Sequence, residues 1–279
     1  MKKIVAAFDG LKYSVSARDY AVYLAKQTHT HLVGVFLDDP VYKSYNAYEL
    51  LVNKNLTPEQ LGEYEAKDKI TRGKASENFE TVCRDEKLEY TVHHDKNIAL
   101  QELKHESIYA DLLMIDSSET LTHYPEKLPT RFIRDLLSDV QCPVMLLPKK
   151  YKPIQKIILL YDGKPSSVFA IKMFSYLLPE LKDIDTEVIS VNPVAASMHV
   201  PDKKLMREFM KRHFPKATYT VLKGLAEDKI VKYLLQLKED AVVVLGAYKR
   251  GNVSRWFRES MADVLMKELK LPLFVAHNK

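Results

Sequence analysis

Ala241-Val-Val-Val-Leu-Gly246-Ala-Tyr-Lys249-Arg250-Gly-Asn-Val-Ser-Arg-Trp-Phe-Arg-Glu-Ser260 reads as a strand, a turn and the start of a helix. The continuous apolar run Ala241 to Leu245 has the composition of a strand buried on both faces. It stops at Gly246, a polar loop follows, and Trp256, Met261, Val264 and Leu265 set a helical spacing. A strand that ends in a glycine turn and feeds a helix N-terminus is how an α/β protein builds a phosphate site. The loop also carries Lys249, Arg250 and Arg255. A lone glycine is weak evidence, and an ordinary βα connection on a basic protein looks the same. The weight comes from the rest of the chain, which repeats itself.

Lys3-Ile-Val-Ala-Ala-Phe-Asp9-Gly10 matches Lys156-Ile-Ile-Leu-Leu-Tyr-Asp162-Gly163 in residue type at every position. After each comes a helix start, Tyr13-Ser-Val-Ser16 in the first copy and Lys164-Pro-Ser-Ser167 in the second, the latter leading into a helix over Ala170 to Leu178. Each copy then has a second strand, Thr30 to Leu37 and Thr186 to Val191, closed by Asp39-Pro40 and by Asn192-Pro193. Thr57-Pro-Glu-Gln60 is a capping box with proline in the first turn, and its helix should run to about Arg84. Asp202 is placed to cap a helix through His213. Strands at Leu88–His93, Asp111–Ile115 and Val144–Leu147, and at Thr218–Leu222, Ala241–Leu245 and Leu273–Ala276, alternate with helical stretches at Ile98–Tyr109, Arg131–Ser138 and Ala226–Leu237. Cys142-Pro143 and Leu271-Pro272 introduce the last strand of each copy. Strands alternating with helices mean a parallel sheet covered on both faces, here twice, with a division near Lys150 into residues 1–150 and 151–279.

The 279 residues suffice for two domains with full cores. No apolar run approaches a membrane span, and Met1-Lys-Lys-Ile opens directly into a strand, so neither a signal peptide nor a membrane partner is expected. Two distant cysteines, Cys83 and Cys142, suggest buried thiols in a reducing compartment, the cytoplasm. The net charge of +5 is spread out, and Lys203-Lys204 and Lys211-Arg212 read as helix-face charges, with no motif for specific nucleic-acid binding.

The tandem unit resembles the universal stress protein family in its fused two-domain form, through the strand-Asp-Ser openings, the glycine turn and the paired Pro-strand endings. The resemblance implies an open five-stranded parallel sheet in each half, order 3-2-1-4-5, with the ligand crevice between strands one and four, so Asp162 and Gly246 should meet. ATP-binding members carry Gly, two residues, Gly, nine residues, then Gly and Ser or Thr after strand four. On this chain those positions are Gly246, Lys249, Glu259 and Ser260 in the second half, and Asp116, Glu119, Pro129 and Thr130 in the first. Carboxylates where phosphate would lie repel it. The resemblance therefore implies a first crevice without nucleotide. It leaves ATP as the candidate cofactor of the second alone, against Asp162, Gly163, Val191, Gly246, Lys249, Arg250 and Ser260, with a Lys249–Glu259 ion pair as a rival use of the loop. It further implies that the halves pair through their last strands, Val144–Leu147 against Leu273–Ala276, covering open sheet edges.

His93-His94-Asp95 has metal-ligand residue types, but adjacent strand residues face opposite ways, so it reads as a polar strand end. The Tyr-rich stretch with Tyr42, Tyr45 and Tyr48 reads either as a lid on the crevice or as a loop packed on the sibling domain. No residue stands out as catalytic, and no metal site is expected. The functional expectation is a cytoplasmic stress-response binding or regulatory module with weak or no ATP binding. The alternative is a slow ATP hydrolase or nucleotide-transferring enzyme using the second crevice.

Overall fold

A computed structural model of the chain describes residues 1–39, 42–45, 57–95, 97–195, 198–246 and 260–277. Contacts divide it into two compact units, residues 2–141 and residues 142–279 with Met1. Strand Val144–Leu147, the last strand of the first repeat, thus clusters with the second.

In the first unit the strands are β1 (Lys3–Phe8), β2 (His31–Leu37), β3 (Tyr90–Asp95) and β4 (Leu112–Asp116). They are parallel, in the order β3-β2-β1-β4. Between them run α1 (Val15–Thr28), α2 (Pro58–Asp85) and α3 (Ala99–Glu106), with α4 (Arg131–Asp139) after β4. The helical spacing expected through Tyr109 tightens into a 3₁₀ turn at Ser107–Tyr109. α2 begins at the expected capping box: the Thr57 hydroxyl accepts from Gln60 N–H, and the Gln60 side chain accepts from Thr57 N–H.

In the second unit the strands are β5 (Val144–Leu147), β6 (Lys156–Leu160), β7 (Asp185–Asn192), β8 (Thr218–Lys223), β9 (Ala241–Gly246) and β10 (Leu273–Ala276). The order β8-β7-β6-β9-β10 is the expected 3-2-1-4-5, all parallel. β5 adds antiparallel to β10 in the register Leu273↔Leu146, Phe274↔Met145, Val275↔Val144. The helices are α5 (Pro165–Leu177), α6 (Lys203–His213), α7 (Ala226–Leu235) and α8 (Met261–Glu268).

Two helix starts differ from the sequence reading. α5 opens at Pro165 rather than Ala170, because proline presets the first-turn φ while the polar Ser166 and Ser167 hide the turn from an apolar-periodicity reading. Asp202 precedes α6 as expected but has φ 45° and makes no capping bond; from the left-handed region its carboxylate does not reach the first-turn N–H groups.

β1, β6 and β9 are buried almost throughout, as strands covered on both faces must be. In the first unit Phe8, Phe36 and Phe79 form an aromatic core with centroid separations of 5.3–6.0 Å. Gly34 on β2 makes room for it: a Cβ there would lie 2.6 Å from the Phe79 ring. The described residues of the second unit include a buried charge network. Glu187 on β7, 4% exposed, pairs with Lys156 Nζ at 3.1 Å and accepts from Thr220 and Tyr233 hydroxyls at 2.5 and 2.6 Å. These contacts hold its carboxyl below the usual range despite the opposing effect of burial. Cys83 and Cys142 are buried, and burial pushes the Cys83 thiol up to about 12. No helix among the described residues is long and apolar enough to cross a membrane.

Gly34→Ala should therefore destabilise the chain by roughly 1–3 kcal/mol through overpacking against Phe79. Urea denaturation checks this. Phe79→Leu in the Gly34→Ala background should recover part of the loss, which a purely backbone effect at position 34 would not allow.

Candidate functional site

In the first unit β1 and β4 are neighbours, with Ala6 opposite Met114, so Asp9 and Asp116 emerge side by side at their C-terminal ends. This is where an open parallel sheet places its ligand crevice. Here the crevice is filled by the protein's own groups. Asp9 is 1% exposed: Oδ1 accepts from Leu11 N–H at 2.7 Å, and Oδ2 accepts from the Tyr42 hydroxyl at 2.8 Å. Tyr42 is itself buried; its carbonyl accepts from Arg72, which also pairs with Asp38 at 2.7 Å, and the Lys12 ammonium lies 5.5 Å from the ring centroid. Burial first, and then the Asp9 charge, raise the Tyr42 phenol well above its ordinary value. Asp116 accepts from Ser118 N–H and hydroxyl through Oδ1 and from the Ser14 hydroxyl through Oδ2.

Glu119 is the third buried acid. Its Oε1 accepts from Thr120 and Leu121 N–H, both at 2.9 Å, and Thr130 donates to its backbone carbonyl at 2.5 Å. Burial, followed by the Asp9 charge, pushes its carboxyl from 4.5 up to about 7, against the pull of the two N–H groups. Thr130 is the N-cap of α4, accepting from Ile133 N–H.

In the second unit Asp162 follows β6 and is open to solvent, with a side chain 51% exposed. Its Oδ1 accepts from the Ser167 hydroxyl at 2.8 Å and Lys164 N–H at 3.0 Å, and its Oδ2 lies 3.1 Å from Lys164 Nζ. Burial opposes ionisation, but Ser167 and Lys164 together hold the carboxyl below its usual value. Gly163 has φ 79°, and a Cβ on it would lie 2.8 Å from Pro201. Gly246 ends β9 directly against the first turn of α5: a Cβ there would sit 2.4 Å from the Ser166 carbonyl group. The adjacent residues Ser166 and Ser167 thus touch Gly246 and Asp162 respectively, bringing the two sequence-distant positions together. Val191 lies on β7 two residues past Ile189, the partner of Leu160, and so level with Asp162 one strand over. Ser260 is the N-cap of α8 in a reciprocal box with Asp263. Lys249, Arg250, Glu259 and Tyr48 lie outside the described residues, and with them the Lys249–Glu259 pair.

His93 and His94 take different carboxylates, Glu106 Oε1 at 2.7 Å and Asp38 Oδ2 at 3.4 Å, as alternating strand residues should. Among the described residues no group of three or more His, Cys, Asp or Glu side chains could hold a metal ion. Three features escaped the sequence reading: the Tyr42–Asp9 bond, the Ser14–Asp116 bond and the buried state of Glu119. Tyr42 belongs to the Tyr-rich stretch, but its partner lies 33 residues away.

The raised Glu119 carboxyl yields a pH prediction. The folded chain holds this proton more tightly than the unfolded one, so the stabilisation is complete below about 4.5 and is lost as pH rises through about 7. Glu119→Gln keeps an acceptor for the two N–H groups and removes the charge. Its Tm should exceed that of the parent by a few degrees at pH 8, with the difference shrinking towards pH 5, as thermal melts at both pH values will report.

Neither a family model nor a curated protein sequence matches the chain. Solved structures do. A universal stress protein from Archaeoglobus fulgidus DSM 4304 aligns with a TM-score of 0.68 at 12% identity, over 99% of this chain and 98% of its own. A putative universal stress protein from Pseudomonas aeruginosa UCBPP-PA14 aligns with a TM-score of 0.60 at 13% identity, over 99% and 93%. A functionally unknown protein from Pseudomonas aeruginosa PAO1 gives 0.60 and 13% over 99% and 92%. At such identities the likeness is one of fold, and it spans both repeats: this chain has the fold of the universal stress proteins along its whole length.

Proposed function

We propose that the chain is a cytoplasmic stress-response binding module rather than an enzyme, in which only the second crevice accepts a nucleotide, and weakly. The contrast between the two aspartates that end the first strand of each repeat carries this reading. Asp9 is buried, with both oxygens engaged by Leu11 and Tyr42, and shares its crevice with Asp116 and Glu119. A phosphate brought there would meet up to three acids in a poorly solvated space, where each contact costs on the order of kcal/mol. Asp162 is exposed, and its neighbour Lys164 is a cation. Gly246 spends its missing side chain on the first turn of α5, which supports a packing use for the one family glycine that remains. ATP would then rest on Asp162, Gly163 and Val191, with Lys249, Arg250 and Ser260 on the phosphate side.

In the same reading the two sequence repeats pair through their last strands. The antiparallel β5–β10 register supports this.

Native mass spectrometry of freshly purified protein, followed by calorimetric titration with ATP, tests the reading. ATP should bind no tighter than the high micromolar range, without turnover to ADP. Asp162→Ala should weaken it, and Asp9→Ala should leave it unchanged. Lys249→Gly with Glu259→Gly restores glycine at all three family positions and should tighten ATP about tenfold. Tight ATP binding by the parent, lost in that double variant, would make Lys249 a phosphate ligand and favour the nucleotide enzyme instead.

A further inference from the structure

At the outer edge of the second unit, α6, the residues just before it and the edge strand β8 enclose a cavity of about 260 Å³. Met198, Val200 and Val221 supply its apolar lining; Lys203 and Arg207 supply its cationic lining, and His199 and Tyr219 complete it. Tyr219 and Val221 are two apart on a strand and so share a face, and Lys203 and Arg207 are four apart on a helix and so share another. The Lys203 ammonium lies 3.4 Å from His199 Nδ1. No carboxylate lines this cavity. A larger one of about 620 Å³ shares Lys203 and Arg207 and adds Lys204, Lys211 and a single acid, Glu208. Among the described residues, none of these four cations forms a salt bridge with a carboxylate.

Like charges one helical turn apart repel, so the pair Lys203 and Arg207 is at its best with an anion between them. A guanidinium beside an ammonium matches a phosphoryl group, the first as a two-pronged donor and the second as a point charge. The apolar lining asks for something more than a bare ion. We propose that this cavity binds a small organic phosphate, its phosphoryl group bridging Lys203 and Arg207 and its apolar body lying against Met198, Val200 and Val221. The cavity adjoins the crevice at Asp162, since Pro201, between its lining residues Val200 and Lys203, lies 2.8 Å from where a Cβ on Gly163 would stand, but none of its lining residues is among those placed against ATP. The proposal does not depend on nucleotide binding there.

Phenyl phosphate and inorganic phosphate, titrated calorimetrically into the full chain at low salt, test it. Phenyl phosphate should bind saturably and several-fold tighter than inorganic phosphate. Lys203→Gln and Arg207→Gln should each weaken it about tenfold with unchanged circular dichroism, and Lys238→Gln, which removes an exposed charge elsewhere, should not. Equal affinity for the two probes would reduce the site to general anion attraction and overturn the proposal. So would absence of saturable binding, or equal weakening by Lys238→Gln. Weakening by Lys164→Gln but not by Lys203→Gln would move the ligand to the Asp162 crevice. Tighter, salt-sensitive binding of a short DNA duplex through the same residues would make the face a polyanion surface instead.

Discussion

A parallel strand covered by helices on both faces has no side that meets water. Its residues must be apolar from end to end, and polar chemistry is displaced to where the strand stops. β1, β6 and β9 obey this almost completely, and in both units the first residue free of it is an aspartate, Asp9 or Asp162. The strand order then decides what lies beside that aspartate. With β1 between β2 and β4, and β6 between β7 and β9, the connections leave in opposite directions and a crevice opens at the strand ends.

The two crevices share this origin and diverge in what fills them. In the first, the acids Asp116 and Glu119 lie beside Asp9, and Tyr42 satisfies Asp9 from within the chain. Burial, and after it the Asp9 charge, shows in Glu119, whose proton is held up to about 7. In the second, the acid is left to solvent and held by Ser167 and Lys164. Gly246 illustrates how one residue type serves two ends: a glycine at the strand terminus can admit a phosphate, but here it admits the first turn of α5.

Charges away from the crevices also divide by environment. Glu187 lies within the sheet and is matched by Lys156, Thr220 and Tyr233, so its charge stabilises only because each oxygen has company. Lys203 and Arg207 of α6 face an apolar-lined hollow with no acid in its lining, an arrangement that structure alone does not require.

The strand order was implied only by the family resemblance, whereas the repeat, the alternation of strands and helices and the capping box at Thr57 were all legible in the amino-acid sequence. Each depends on spacing or on neighbours within a few residues, and such local rules are written along the chain. That the loop after β4 holds no glycine was legible too, because it is a matter of residue type. Tertiary structure decided the rest. The strand Thr186 to Val191 shows Glu187 as a polar strand residue; its burial, and the bond it accepts from Tyr233 on a later helix, come only with the fold. Tyr42 becomes a closing group for Asp9, and Gly246 a packing residue, through partners 33 and 80 positions away. A sequence states which groups can form such bonds; the folded chain alone brings the two ends of each within reach.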